Sequence, residues 1–214
     1  GLATGSRPRP LDLKGSDLDG IFYLRSLADA RRLKAAAEAA ADIVIIGGGF
    51  IGLEVASGLV KQGKRVTVIE AQSRPLARVV APAVSAVLAQ VHHRHGVEIL
   101  NNCAVREIKG HSKVASVVLD DGIEIIADMV VAGIGAVPNV ELARKMGLEC
   151  RDGIVVDHSS RTSSSIVYAA GDCTFYASPY APAGIRLESV QNATDQARAA
   201  GASVAGRDAD YSSI

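Results

Sequence analysis

The stretch "VIIGGGFIGLEVA", residues 44 to 56, limits what this chain can fold into more than any other part of it. A run of β-branched residues passes into three consecutive glycines and then into an apolar helix start. Gly47, Gly49 and Gly52 set G-x-G-x-x-G directly between strand and helix, and the next strand, "RVTVIE", closes on the acid Glu70 about twenty residues further on. Each part has a physical task. The first glycine makes the tight turn, the second lets backbone approach a pyrophosphate at the helix N-terminus, and the third lets helix and strand pack closely. Glu70 stands where it would accept hydrogen bonds from an adenosine ribose. A glycine pattern alone is equally consistent with a merely tight turn. Strand, turn, helix, strand and acid in that order point to dinucleotide binding.

Glu70 also bears on which dinucleotide. A carboxylate ~4 Å from a ribose 2′-phosphate would repel it by ~4 kcal/mol per unit charge at an effective dielectric near 20, and by about half that at an open site. Even the smaller value exceeds a tenfold change in affinity. NAD(H) is therefore expected over NADP(H). Arg74 and Arg78 nearby work against this if either holds a phosphate; stacking on adenine and a solvated loop are the other readings of them.

Around this motif the pattern is strands alternating with helices. "SLAD" at Ser26 to Asp29 reads as a capping box opening an alanine-rich helix towards Ala40, and Asp42 to Ile46 as a buried strand. A helix from about Gly52 to Gln62 is closed by Gly63. Arg65 to Glu70 is the next strand, and the helix after it carries Pro82 in its first turn, where a missing N–H costs nothing. This is a βαβα run, and so a parallel sheet with helices outside. Beyond it, "CAVREIKG", "KVASVVLD" and "IEIIADMVVAGIG" are short alternating segments with a hairpin turn at Asp121-Gly122, which read as a small antiparallel insert returning to a final parallel strand. The tail from Gly153 is a separate region ending in a helix through "SVQNATDQARAAGASVAG", without a second glycine-rich nucleotide turn. The fold class is α/β, a Rossmann-like domain with a parallel sheet and an antiparallel β insert.

Composition narrows the function classes. With 214 residues, 48% hydrophobic and 21% charged, the chain can bury a real core as one large or two small domains. Its 23 basic and 23 acidic residues leave no electrostatic footprint for nucleic acid or an anionic membrane surface. No apolar run reaches the ~18 residues a membrane span requires, and no signal peptide is expected from the opening residues. Cys103, Cys150 and Cys173 are odd in number, far apart and in no C-x-x-C spacing, which argues against a disulfide framework or a zinc site and makes a reducing cytoplasm the natural compartment. His92, His93 and His95 crowd a helix end before Gly96 without metal-ligand spacing, so no metal site is expected. Arg31, Arg32 and Lys34 read as a solvated helix face.

Several stretches together, "GGGFIGLEVA", "VTVIEAQSRPLARV", "VVAGIGAVPNVELA", "GIVVD", "RTS", "YAAGDC" and "RLESVQNATDQA", resemble the flavin-dependent pyridine-nucleotide oxidoreductases. The resemblance covers nearly the whole chain and is nearest to the NADH-dependent ferredoxin reductases of the putidaredoxin, rubredoxin and aromatic-dioxygenase reductase kind. In that family an FAD domain is split by an inserted NAD domain, and a further domain follows. The resemblance therefore implies that residues 1–25 end a first FAD segment, 26–137 form the NAD-binding domain, and 138–214 form part of the split FAD-binding domain. "GLATGSRPRP" is similar to the segment closing the first FAD half and "DYSSI" falls about where the last domain begins, so the chain is expected to be a fragment, inactive alone and weak or empty in FAD.

The resemblance also implies roles. Gly47, Gly49 and Gly52 would face the NAD pyrophosphate, Glu70 its adenosine ribose, and Gly133 with Gly135 would line the cofactor from the far side of the cleft, with Gly48, Phe50, Ile51, Arg78 and Ile134 among the NAD-binding residues. Glu54 would stand near the nicotinamide; a favourable charge at a helix N-terminus is the other reading of it. Gly171 and Asp172 would hold the flavin ribityl chain, Glu188, Ser189 and Val190 would abut the isoalloxazine, and Thr4, Gly5 and Arg7 would lie by the flavin. For Asp172 the plainer reading is a turn residue after a buried strand. Cys173 reads as a small buried hydrophobe or a neighbour of the flavin. The implied reaction is hydride transfer from NADH to FAD, then single electrons to an iron-sulfur ferredoxin or rubredoxin. A disulfide reductase of the same superfamily and a non-catalytic dinucleotide-binding module remain open beside it.

Overall fold

A computed structural model describes residues 1–178 and 180–211. The last three residues of "DYSSI" lie outside the described residues. By packing, the chain forms two compact units, residues 8–135 and residues 1–7 with 136–214.

After a short strand β1 (Ser6–Pro8), the central unit runs β2 (Ile21–Tyr23), α1 (Leu27–Ala39), β3 (Asp42–Ile46), α2 (Phe50–Val60), β4 (Arg65–Glu70), α3 (Pro82–Arg94) and β5 (Val97–Asn101). The insert β6 (Val105–Gly110), β7 (Val114–Leu119) and β8 (Glu124–Ile126) follows, and then β9 (Met129–Ala132). Five strands form a parallel sheet in the order β2-β9-β3-β4-β5, and the insert is a separate antiparallel sheet in the order β6-β7-β8. Ile43 pairs with Val66 on one side and Met129 on the other, so β3 lies in the middle of the sheet.

Strand β3 shows why "DIVII" has no polar alternation. Successive side chains point to opposite faces of a strand. Ile43 and Ile45 join the cluster containing Leu33, Leu53, Leu59 and Val68, whereas Val44 and Ile46 join that containing Ile69, Val117, Leu119 and Val130. Helices cover one face and the insert the other, so both faces are apolar.

The expected capping box is present: the Asp29 amide donates to Ser26 Oγ at 3.2 Å, and the Ser26 amide to Asp29 Oδ2 at 2.9 Å. With the Ser26 hydroxyl and Arg32 also donating to it, the Asp29 carboxyl titrates at about 2. Helix α2 starts two residues before the expected Gly52, because Gly49, in extended conformation, is its N-cap. Strands β2 and β5, which the sequence reading did not pick out, are the two edges of the sheet. Residues 8–25, grouped there with the opening segment, pack in the central unit, where β2 runs parallel to β9.

The other unit contains β10 (Ala136–Pro138), α4 (Glu141–Lys145), β11 (Ile154–Val155), β12 (Thr174–Ser178), β13 (Ala181–Ile185) and α5 (Val190–Val204). Strand β1 pairs with β10, and β11-β12-β13 form a mixed sheet. The opening segment is sewn in by backbone: the Leu2 amide donates to Tyr168 at 2.7 Å, and the Ala170 amide to Leu2 at 3.0 Å. Its core holds Ile154, Val156, Ala169, Cys173, Tyr176 and Tyr211. The hairpin β12-β13 is absent from the sequence reading. Gly184 permits it, since a Cβ there would lie 2.2 Å from the Phe175 ring.

Candidate functional site

In the central unit the glycine turn sits at the C-terminal end of β3, and each glycine answers to a different steric demand. Gly47 has φ +108°, and a Cβ on it would lie 2.4 Å from the Gly133 carbonyl oxygen. A Cβ on Gly52 would lie 2.1 Å from the Gly47 carbonyl oxygen, so only glycine lets α2 come this close to the turn. Gly49 faces open space within 4 Å, and it begins α2. Its amide and those of Phe50, Ile51 and Gly52 belong to the first turn, where helix amides have no intrahelical acceptor and carry the positive end of the helix dipole. The arrangement suits a diphosphate. Phe50 and Ile51 are about half exposed beside it, at 55% and 49%.

Glu70, the last residue of β4, reaches this turn. Its Oε2 accepts from the Gly48 amide at 2.8 Å and its Oε1 from the Gln72 amide at 2.7 Å. Each carboxylate oxygen keeps a further lone pair for another donor. Gly133 is tied to β3 by its amide, 2.8 Å from the Ile46 carbonyl, and leads through Ile134 to Gly135 at φ +104°. Glu54 is exposed and is the fifth residue of α2. It lies beyond the first turn, where a helix-dipole effect falls off. Arg78 is exposed, whereas Arg74 is held in the loop, Nη2 donating to the Ala77 carbonyl at 3.0 Å. Arg74 Nη1 is buried without a hydrogen-bond partner among the described residues.

In the other unit Gly171, at φ +85°, turns the chain after Ala170. Its amide donates to Gln196 Oε1 at 2.7 Å, and the same oxygen accepts from the Thr174 hydroxyl at 2.8 Å. Asp172 is half-buried and accepts from the Ser6 hydroxyl at 3.1 Å. Thr4, Gly5 and Arg7 converge on Asn139. The Thr4 hydroxyl donates to its carbonyl at 2.6 Å, its amide donates to the Gly5 carbonyl at 2.9 Å, and Arg7 Nη1 donates to its Oδ1 at 2.5 Å. Arg7 also pairs with Glu141 at 2.7 Å. Ser189 caps α5, accepting from the Asn192 amide at 3.1 Å. Glu188 pairs with Arg186, and Val190 is 86% exposed at the start of that helix.

Sequence reasoning missed Gln196 and Asn139. Both lie in stretches quoted for the family resemblance, but neither has a local signal for its role. Gln196 is fully buried, and its Nε2 has no hydrogen-bond partner among the described residues. His92, His93 and His95 form the C-terminal turn of α3, and the imidazole of His92 has its pKa lowered by burial and by the other two histidines. Among the described residues no group of three or more His, Cys, Asp or Glu is arranged to hold a metal. Among them, too, no helix is long and apolar enough to cross a membrane.

The profile of the pyridine nucleotide-disulphide oxidoreductase family matches residues 2–197. The chain belongs to that family. Within it, the chain is similar to a rubredoxin-NAD(+) reductase of Ectopseudomonas oleovorans, 44% identical over 206 residues that cover 96% of this chain and 54% of that protein. It is also similar to the crystal structure of a ferredoxin reductase from Rhodopseudomonas palustris, at TM-score 0.95 and 39% identity over 98% of this chain and 52% of that one. The putidaredoxin reductase of a covalent complex with putidaredoxin matches at TM-score 0.91 and 40% identity over 96% of this chain and 51% of that chain. The chain thus spans about half the length of the curated relatives it matches. The family's α/β architecture is the one described above, including the parallel sheet and the antiparallel insert.

Proposed function

We propose that this chain is the NAD(H)-binding part of a flavoprotein reductase that passes electrons from NADH through FAD to an iron-sulfur ferredoxin or rubredoxin. The observation that carries the reading is the pairing of the open Gly49 turn with the Glu70 carboxylate, in a chain similar over nearly its whole length to reductases named for those partners. NADH supplies the hydride, and FAD accepts it and releases single electrons.

The protein's own part is binding and orientation. The first-turn amides of α2 would hold the pyrophosphate, and Glu70 would accept the adenosine ribose hydroxyls while its charge repels a 2′-phosphate. Gly47 and Gly52 keep the turn closed, and Gly133, Ile134 and Gly135 line it. Glu54 would stand towards the nicotinamide and Arg78 towards the adenosine. In the other unit, Gly171 and Asp172 would take the flavin ribityl chain, with Thr4, Gly5 and Arg7 beside it. Val190, apolar yet almost fully exposed, supports an apolar ring at the start of α5 together with Glu188 and Ser189. The domain scheme of residues 26–137 for NAD, with 1–25 and 138–214 for FAD, is part of the same reading, except that residues 8–25 go with the NAD part, since they pack in the central unit. Three free cysteines suit a reducing cytoplasm, and the charge balance offers nothing to nucleic acid or to an anionic membrane surface.

A titration of the chain with NADH, followed by nicotinamide fluorescence, is expected to saturate; no saturable binding refutes the reading. NADH-dependent reduction of a rubredoxin by the flavin-loaded protein that carries this chain tests the electron acceptor. Turnover with a disulfide instead of the rubredoxin would move the assignment to disulfide reduction.

A further inference from the structure

Gly48 is the middle residue of the first G-x-G, a position at which the dinucleotide pattern accepts any residue. Its backbone here is not in the left-handed region, so conformational freedom does not explain the glycine. Space does. A Cβ on Gly48 would lie 3.0 Å from Glu70 Oε2, 3.3 Å from Glu70 Cβ and 3.2 Å from Pro75 Cβ. The glycine makes room for the side chain of Glu70 to lie against the turn.

Both polar groups of the Gly48 residue are then engaged. Its amide donates to Glu70 Oε2 at 2.8 Å, and its carbonyl accepts from the Leu76 amide at 2.9 Å. Leu76 adopts φ +56°, which a branched aliphatic residue rarely takes, and the loop bearing it is tied to α3 by the buried Ser85 hydroxyl, 2.6 Å from the Pro75 carbonyl. The Gly47 amide is spent on the Ile69 carbonyl at 2.8 Å. The amides left to meet a diphosphate begin at Gly49, and their direction follows from how Gly48 is held.

We propose that Glu70 is a positioning residue for the phosphate turn as well as a ribose ligand, with Gly48 a glycine because of Glu70. The inference rests on the NAD(H)-binding reading above. Ribose recognition and phosphate recognition are then coupled through one carboxylate: removing it releases the Gly48 amide and lets the turn re-aim the Gly49, Phe50 and Ile51 amides. A carboxylate acting on the ribose alone predicts the opposite for a ligand without ribose hydroxyls. There, deleting a negative charge beside an anion leaves binding unchanged or tightens it.

The test measures dissociation constants of ADP and 2′,3′-dideoxy-ADP for the wild-type chain and for Glu70→Ala. The dideoxy ligand is expected to bind the variant about fivefold or more weakly, in keeping with loss of a hydrogen bond to a charged acceptor. A smaller change, or tighter binding, overturns the proposal while leaving the NAD(H) reading intact, since ADP would still weaken. Failure of the wild-type chain to bind ADP at all would remove both. Should Glu70→Ala not fold, the trans-hydrogen-bond coupling between the Gly48 amide nitrogen and the Glu70 carboxyl carbon decides the matter in the unliganded wild-type chain. Its presence supports the brace and its absence overturns it.

Discussion

The amide of Gly171 donates to the side-chain oxygen of Gln196 at 2.7 Å, joining a turn and a helix 25 residues apart in the chain. Gln196 is fully buried, and its Oε1 also accepts from Thr174. Replacing it with leucine would keep most of the volume and leave the buried Gly171 amide unpaired, while the Thr174 hydroxyl keeps the Gly171 carbonyl as acceptor at 2.9 Å. Gln196→Leu is therefore expected to lower stability by about 1–3 kcal/mol, against about 0.5 kcal/mol or less for an ordinary surface change. Urea denaturation checks this; a loss under about 1 kcal/mol would show that the turn holds without its acceptor.

Two glycines of α2 separate steric need from helix propensity. A methyl at Gly52 would meet the Gly47 carbonyl oxygen at 2.1 Å, whereas one at Gly58 meets nothing within 4 Å. Gly52→Ala is expected to cost about 2 kcal/mol or more and to abolish NADH binding, because helix and turn must part. Gly58→Ala is expected to stabilise by about 0.5–1 kcal/mol and to leave NADH binding unchanged. Thermal melts and NADH titrations of the pair make the comparison.

Asp128 predicts a pH dependence. Its Oδ2 accepts from the Ala41 amide at 2.8 Å and the Asp42 amide at 3.0 Å, and these bonds, that to Asp42 first, hold its pKa below the usual carboxylate value. A lowered pKa in the folded state gives stability that is present above the unfolded value near 3.9 and is lost as pH falls through the folded value. Asp128→Ala is expected to be about 1 kcal/mol less stable than wild type at pH 7. The gap should narrow below about pH 4 and level off once the wild-type carboxyl is protonated, since the neutral acid keeps an acceptor oxygen for the two amides. A gap independent of pH would mean that the carboxylate charge contributes nothing.

Cofactor choice follows from Glu70. NADH is expected to bind about tenfold or more tightly than NADPH, since a 2′-phosphate would approach the carboxylate that already faces the Gly48 and Gln72 amides. Equal dissociation constants for the two would refute the selectivity.

Much of the central unit was legible in order. Strands Asp42–Ile46 and Arg65–Glu70, the Ser26 capping box, Pro82 at the start of its helix and the antiparallel insert all stand where local pattern places them. Each depends on residues within a few positions of one another. The edge strands Ile21–Tyr23 and Val97–Asn101 were not legible: the first is only three residues long, and the second follows a helix-ending histidine cluster without turn punctuation of its own. The hairpin at Thr174–Ile185 was hidden for a different reason. Its register shifts between Tyr176 and Ser178, which breaks the period-two signal.

The strand-glycine-helix turn, the acid at the end of the following strand and the alternation that makes a parallel sheet are written in the residues themselves, because periodicity, caps and steric freedom at glycine act locally. That Glu70 clasps Gly48 across 22 residues, that Gln196 holds Gly171, and that Asn139 gathers Thr4, Gly5 and Arg7 emerges only once the chain is folded. Such bonds depend on where a register and a helix axis bring a side chain, and on burial that makes an unpaired polar group costly. No stretch of neighbouring residues encodes either.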